Sequence, residues 1–200
     1  MCGDVLNNKK RKIIATKSRE NDTILVNRFK RGEKMDNFSE DVRLARSGST
    51  EAFARLYSAV YKDLYHIALY SLRSSHDACD AVSDTVLDAY CNIGDLKNEK
   101  AFRSWIMRIL SAKIKRKQRE YFKDTIELTE ENEPSGEFIF EVSELKQAME
   151  QLDPQSRLLL SMSVLEGYTS DEISEICDMN PNTVRSKLAR IKHKLRLELT

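Results

Sequence analysis

The spacing of apolar residues along this chain predicts a protein built entirely from helices. From residue 36 onward, apolar positions recur three and four residues apart, which is the period of an α-helix with one buried face. Glycine and proline are scarce, at 6 and 3 of 200 residues, so the helices are expected to run unbroken. The fold class is therefore all-α, with eight helices expected over residues 36–46, 50–73, 77–93, 99–122, 141–152, 154–166, 169–177 and 181–199.

An acidic stretch separates the first four helices from the last four. Residues 124–140 include Pro134-Ser135-Gly136 and predict a flexible linker. The chain is thus expected to form two small helical domains, 35–123 and 141–200. Charge follows the same division, since residues 124–153 carry ten acids against one lysine and the helices on either side end in basic runs.

The first 34 residues are basic and show weak periodicity. They hold ten Lys or Arg and four acids, a net charge of +6, and are expected to be a disordered tail or a basic arm that contacts DNA. A further hypothesis is that natural translation begins at Met35. The codons of Arg31-Gly32-Glu33-Lys34 can spell a purine-rich ribosome-binding sequence, and Met35 opens the first patterned segment.

The last two helices form a candidate helix-turn-helix. Thr169 and Glu172 have the spacing of a capping box, and Asn180 precedes Pro181 as a second cap. On the final helix one face is apolar, and the remaining faces carry hydrogen-bond donors that suit a DNA major groove. A solvated, basic amphipathic helix is the alternative. The face expected to be buried consists of Val184, Leu188, Ile191 and Leu195.

Four acids form a stripe on the third helix. Asp77, Asp80, Asp84 and Asp88 share one face, and the helix has no lysine to pair with them. Like charges at this spacing repel each other by a few tenths of a kcal/mol per pair. The stripe is either a solvated face or a docking surface for a basic partner. No nucleophile with a supporting group is apparent beside it, so a catalytic site is not expected.

The fourth helix combines cations with aromatic residues. Phe102 and Trp105 are expected in the core, whereas Tyr121 and Phe122 follow the cations at the helix end. Cations interleaved with aromatic rings suit unpaired nucleic acid, because bases stack on rings while phosphates meet cations. The cations expected on the outer side and C-terminal end are Arg103, Arg108, Lys113, Lys115, Arg116, Lys117, Arg119 and Lys123.

Other classes of site have little support in the sequence. Cys2, Cys79, Cys91 and Cys177 lack metal-ligand spacing, so reduced thiols are expected and neither a metal nor a cofactor is predicted. No apolar run approaches the length that crosses a membrane, and no signal peptide is apparent.

Both halves carry strings that resemble the sigma-70 family of bacterial transcription factors, in its small extracytoplasmic-function (ECF) group. The first half resembles region two and the second region four, and the resemblance covers roughly residues 42–197. In the first half the strings are Glu51-Ala52-Phe53 with Leu56-Tyr57, Asp77 to Thr85, and Phe102 to Ile109. In the second half they are Leu152-Asp153-Pro154 with Arg157, Glu172-Ile173, and Thr183 to Leu188 with Arg190.

The resemblance implies a cytoplasmic transcription-initiation subunit that is not an enzyme. It would bind the largest-subunit coiled coil and the flap of core RNA polymerase, bind promoter DNA, and be held by an anti-sigma factor. Implied polymerase contacts are Asp77, Asp80, Ser83 and Asp84. Implied contacts that open the −10 element are Asn92, Asn98, Arg103, Arg108, Lys113, Lys115, Arg116, Lys117 and Arg119. Implied −35 contacts are Asn182, Thr183, Arg185, Ser186, Lys187, Arg190 and Lys194, with Lys187, Lys192 and Lys194 directed to phosphates.

The chain departs from the family pattern at three positions. Cys79 and Ser83 stand where the family often has Glu and Gln, and Ala112 stands where it often has Asn. Loss of that Asn removes a partner for a base edge, which puts the choice of −10 bases in doubt. Two alternatives stay open from the residues alone: a stand-alone helix-turn-helix regulator, and a helical interaction protein that does not read DNA.

Overall fold

The computed structural model describes residues 38–124, 149 and 151–198. Several predictions fall outside these residues: the N-terminal tail, the start site at Met35, the linker apart from residue 124, and the helix over 141–152 apart from residues 149, 151 and 152. Within them the chain is helical and contains no strand. The helices are α1 (38–46), α2 (Thr50–Leu72), α3 (Ser75–Asn92), α4 (Phe102–Asp124), α5 (Pro154–Leu165), α6 (Ser170–Cys177) and α7 (Pro181–Glu198).

Side-chain caps place the helix starts close to where the sequence predicts them. The Thr169–Glu172 capping box is present at α6, with the Thr169 hydroxyl accepting from the Glu172 amide at 3.3 Å. Asp153 caps α5 in the same way, accepting from the Ser156 amide at 3.0 Å. The fourth helix begins later than predicted, because Glu99–Ala101 forms a separate 3-10 turn ahead of Phe102.

The predicted buried faces are the core of the structure. Val184, Leu188, Ile191 and Leu195 are all buried, which confirms the inner face of α7. Phe102 is buried, and Trp105 packs beside it with ring centroids 6.1 Å apart. Local periodicity alone was enough to find these faces, because burial on a helix repeats every turn.

The two halves of the chain share one hydrophobic core. Helix α5 packs along α2, and α6 packs against α4. A single contiguous cluster of buried side chains includes Leu56 and Ile114 from the first half and Leu158 and Val184 from the second. The units separated in sequence by the acidic stretch are therefore packed on each other here.

No helix in the described part of the chain combines the length and apolar character needed to cross a membrane.

Candidate nucleic-acid interface

The outer faces of α7 display the residues predicted to meet duplex DNA. Pro181 begins the helix, so Asn182 and Thr183 lie in its first turn, at the end of a helix that approaches DNA in helix-turn-helix proteins. The buried stripe holds α7 to the rest of the second half. Of the seven residues predicted for the −35 element, all but the half-buried Lys187 are exposed: Asn182, Thr183, Arg185, Ser186, Arg190 and Lys194.

Arg185 and Lys187 bond to side chains of neighbouring helices. The Arg185 guanidinium donates to Asp171 at 2.6 Å and to Asn182 at 3.1 Å. Lys187 donates to the Gln155 side-chain oxygen at the start of α5. Any ligand of the Arg185 guanidinium must therefore compete with Asp171, whereas Arg190 makes no ion pair with a described residue.

The acids of the stripe on α3 were expected to lack partners, and that expectation was wrong. The neighbouring helix α4 supplies the cations. Lys113 pairs with Asp88 at 2.5 Å, Arg116 with Asp84 at 2.9 Å, and Lys117 with Asp77 and Asp80 at 3.0 and 3.4 Å. We call this set of contacts the α3–α4 charge pairs. The sequence analysis considered only lysines on α3 itself, whereas the partners lie 25 to 40 residues further along the chain.

Asp77 is the most enclosed member of the stripe. Its carboxylate accepts hydrogen bonds from the Lys117 ammonium and the Tyr121 hydroxyl. Its backbone amide donates to the Ser74 hydroxyl, which caps the helix. Burial raises the pKa of Asp77, but hydrogen bonds from Tyr121, Ser74 and Lys117 outweigh that effect and hold the pKa below its ordinary value. Burial also raises the pKa of the Tyr121 hydroxyl, and its bond to Asp77 raises it further, so this hydroxyl remains protonated and donates.

The remaining cations of α4 point in several directions. Arg103 forms a half-buried ion pair with Asp63 of α2. Lys115 donates to the Cys177 carbonyl of α6. The exposed Arg108 makes no ion pair with any described residue. The cations of the predicted −10 set therefore all lie on α4, but their side chains are directed towards α2, α3, α6 or solvent.

The two predicted asparagines flank the loop between α3 and α4: Asn92 ends α3, and Asn98 precedes the 3-10 turn Glu99–Ala101. Asn92 donates its side-chain amide to the Asp88 carbonyl at 2.7 Å, and Asn98 accepts from the Lys100 amide at 3.1 Å. Both are exposed, and between them Ile93 and Leu96 are buried and anchor the loop. The loop is thus held at two apolar points while its polar groups face outward.

Sequence reasoning missed an exposed apolar surface on α3. Leu87 is 64 % exposed and Tyr90 is 48 % exposed, and they lie on the same side of the helix as the exposed Ser83. We call Ser83, Leu87 and Tyr90 the outer face of α3. In the sequence these three residues are spaced four and three apart, as a buried face would be. Val82 and Ala89 form another face with helical spacing, and that face was taken as the core of the helix.

One group of described residues has donor atoms close enough to suggest a cation. His76, Asp77 and Asp80 each offer an atom within 4.8 Å of the others. Lys117 already places its ammonium at 3.0 Å from Asp77 and 3.4 Å from Asp80. The negative charge there is balanced by that side chain, and the group gives no support to a metal centre.

Taken together, these features define an all-helical protein with a helix-turn-helix and a second, cation-bearing helical unit. Comparison with models of known protein families identifies the family of this chain. A model described as Sigma-70 region 2 matches residues 56–121, and one described as Sigma-70, region 4 matches residues 143–195. The chain belongs to the sigma-70 family.

Relatives place it in the ECF group of that family. It is 25% identical over 142 residues to the RNA polymerase sigma factor SigV of Bacillus subtilis, covering 70% of this chain and 86% of SigV. It is 26% identical over 153 residues to the ECF sigma factor SigM of Mycobacterium tuberculosis, covering 74% and 78%. It is also 27% identical over 139 residues to the ECF sigma-E factor of Escherichia coli, covering 60% and 73%.

Solved structures show the same fold. CnrH, in complex with the cytosolic domain of CnrY, matches with a TM-score of 0.62 and 20% identity, over 82% of this chain and 97% of that one. The sigma factor RpoE from Bartonella quintana, in complex with the anti-sigma factor NepR, matches with a TM-score of 0.62 and 18% identity, over 75% and 98%.

Proposed function

We propose that this protein is a sigma factor that binds core RNA polymerase and directs it to promoters with defined −10 and −35 elements. Membership of the sigma-70 family, with both DNA-binding regions matched in order, carries this proposal. The chain supplies binding and positioning, and the polymerase supplies the chemistry of RNA synthesis. Its place of action is the cytoplasm, where polymerase and chromosome meet.

The polymerase contact is proposed at the outer side of α3. Asp80 and Asp84 attract a basic coiled coil of the largest subunit, and the outer face of α3 adds apolar area beside them. An exposed apolar patch next to charges is typical of a protein–protein contact. Region four then contacts the flap, and an anti-sigma factor is expected as a further partner, as in the RpoE complex with NepR.

The −10 element is proposed to open against α4 and the loop before it. Unstacking each base costs a few kcal/mol, so a surface that favours single strands must offset that cost. Arg108 is exposed, and so are Asn92 and Asn98. Arg108→Ala is expected to slow open-complex formation while leaving polymerase binding unchanged.

The −35 element is proposed to lie in contact with α7. Asn182, Thr183 and Arg185 reach the base edges from the first turns, with Ser186 and Arg190 beside them. Lys187, Lys192 and Lys194 contact phosphates, which set position rather than sequence.

Reconstitution tests the proposal directly. The purified chain is mixed with bacterial core polymerase, and run-off transcripts are measured from a panel of candidate promoters. A specific transcript that depends on this chain is expected. Failure to form any holoenzyme contradicts the proposal, and DNA binding without polymerase favours a stand-alone regulator.

Ser83→Arg tests the docking surface more cleanly than reversal of Asp84. Ser83 is exposed and makes no ion pair, so the α3–α4 charge pairs remain intact in the variant. A new cation facing a basic coiled coil is expected to weaken core binding at least about tenfold. Ser58→Arg, at an exposed position of α2, is the matched control and is expected to bind as the unchanged chain does.

A further inference from the structure

Two neighbouring side chains fix the start of α4. Phe102 is 1 % exposed and stacks on Phe38 of α1, with ring centroids 5.9 Å apart. The next residue, Arg103, donates from its guanidinium to the Asp63 carboxylate of α2. The start of the helix is therefore held to α1 by an apolar contact and to α2 by an ion pair.

The Asp63–Arg103 ion pair is enclosed on both sides. The Arg103 side chain is 16% exposed and the Asp63 side chain is 19% exposed. In the Arg185–Asp171 pair of the second half, the corresponding values are 55% and 65%. An enclosed charge that loses its partner keeps the desolvation penalty and loses the attraction that offset it. Arg103 therefore leaves its carboxylate at a greater cost than Arg185 does.

A short series of hydrogen bonds connects this ion pair to the loop before α4. Ser104, next to Arg103, donates its hydroxyl to the Ala101 carbonyl at 3.0 Å, and the Ala101 amide donates to the Asn98 carbonyl at 3.0 Å. The Asn98 side chain accepts from the Lys100 amide at 3.1 Å and caps the 3-10 turn. One hydrogen-bonded turn thus separates Asn98 from the start of α4, and its position follows that of the helix start.

We propose that Arg103 is a positioning residue rather than a DNA contact. Asp63 holds Arg103, and the pair fixes the start of α4 and with it Asn98 for the −10 element. The inference rests on the proposed function, because it concerns how that element is recognised. Arg108, which is exposed and makes no ion pair with any described residue, remains the proposed direct contact on α4.

The two possible roles of Arg103 predict opposite effects of removing the Asp63 charge. Hydrogen bonds to a base edge depend steeply on distance and angle, so a shift of Asn98 weakens the choice of base. A positioning role therefore predicts poorer discrimination between −10 sequences when the pair is lost. A DNA contact predicts stronger binding, because removal of a competing carboxylate frees the guanidinium.

Asp63→Asn in the full chain, assembled with core polymerase, tests the proposal. Rates of open-complex formation are measured at a promoter that the unchanged chain transcribes and at the same promoter with one −10 base pair changed. One mismatched pair typically weakens binding about 5- to 150-fold. The ratio of the two rates is expected to fall at least about threefold in Asp63→Asn. Because both rates come from the same holoenzyme, changes in folding stability or polymerase affinity cancel in the ratio.

Asp41→Asn is the matched control. Asp41 has the same 19% side-chain exposure as Asp63 and pairs with Arg55 at 2.6 Å, so the variant also removes an enclosed carboxylate from an arginine. It is expected to keep the ratio of the unchanged chain, and an equal loss in both variants overturns the proposal. Asp63→Glu, which retains the carboxylate, is expected to keep most of the ratio.

Exchange of the two charges gives a second test. Asp63→Arg combined with Arg103→Asp restores an attraction between α2 and α4 but leaves no cation at position 103 for DNA. The exchanged protein is expected to recover most of the discrimination lost in Asp63→Asn, and a folded exchanged protein without that recovery overturns the proposal. If the exchanged protein does not fold, Asp63→Asn decides alone.

The remaining outcomes separate this proposal from the proposed function. A ratio for Asp63→Asn equal to or above that of the unchanged chain overturns the positioning role, and faster opening at both promoters assigns Arg103 to DNA instead. Absence of any promoter-specific transcript from the unchanged chain counts against the sigma-factor proposal itself.

Discussion

Arg185 shows how the structure changes the meaning of a single residue. The sequence marks it as a base-reading side chain on an exposed helix face, and the structure agrees about the exposure. The structure adds that its guanidinium is bonded to Asp171 on the preceding helix. Both side chains are more than half exposed, so the ion pair contributes only about 0.2–1 kcal/mol. In the proposed complex with −35 DNA, Arg185 therefore exchanges one partner for another at small cost.

Asp171→Ala is expected to tighten binding of the holoenzyme to −35 duplex DNA. Loss of the competing carboxylate, worth less than about 1 kcal/mol, corresponds to a gain of up to about fivefold. Fluorescence anisotropy with a labelled duplex measures it. Removing any acid near DNA raises affinity somewhat, and Glu175→Ala on the same helix controls for that general effect. Equal gains from both variants would show that the Arg185 pair does not compete with DNA.

At the scale of elements, the α3–α4 charge pairs are the main correction to the sequence view. Asp77, Asp84 and Asp88 follow one another along α3 while Lys117, Arg116 and Lys113 run in the reverse order along α4. That reversal is the signature of two antiparallel neighbouring helices. The acids thus stabilise region two internally, and their attraction for an external basic partner is reduced by the cations beside them.

Lys117→Ala is expected to destabilise the fold more than Arg116→Ala. Lys117 is 15% exposed and bonds two carboxylates, whereas Arg116 is 50% exposed. Losses of about 1–2 kcal/mol are expected for the first and about 0–1 kcal/mol for the second, since enclosed charged hydrogen bonds are stronger than surface pairs. Urea unfolding measures both, and a larger loss for Arg116→Ala would contradict the assignment.

Asp77 gives these pairs a dependence on pH. Its pKa is depressed in the folded protein, so its contribution to stability is present above the unfolded pKa near 4 and is lost as pH falls through the folded value. The free energy of unfolding is expected to drop less steeply between about pH 5 and pH 2 in Asp77→Asn than in the unchanged chain. Asp95→Asn, at an exposed loop position, should retain the full slope.

The contrast between what was and was not predictable has a physical cause. The buried stripe of α7 and the capping box at Thr169 follow from residues three or four apart, whose geometry is fixed once a helix forms. By contrast, Asp84 pairs with Arg116, and the Cys177 carbonyl accepts from Lys115. Those contacts depend on which helices pack together. Periodicity identifies faces, but it does not identify which face meets which.

At the scale of the whole molecule, the shared core makes the two regions depend on each other. Trp105 is the chain's only tryptophan and lies in the first half, so its fluorescence reports on region two. Leu159→Ala, at a position with 0% exposure in the second half, is expected to lower the stability reported by Trp105 by about 2–5 kcal/mol. Val164→Ala, on the same helix at 54% exposure, is expected to change it little. An unchanged Trp105 transition in Leu159→Ala would mean that the halves unfold independently.

The shared core also has a consequence during protein synthesis. Residues 38–124 leave the ribosome before residues 154–188, which complete that core. At about 5–20 residues per second the interval lasts several seconds. During this interval the sides of α2 and α4 that α5 and α6 later cover are exposed to solvent. A polymerase that binds the nascent first half in that time does so before the Cys177 carbonyl, the partner of Lys115, has been translated.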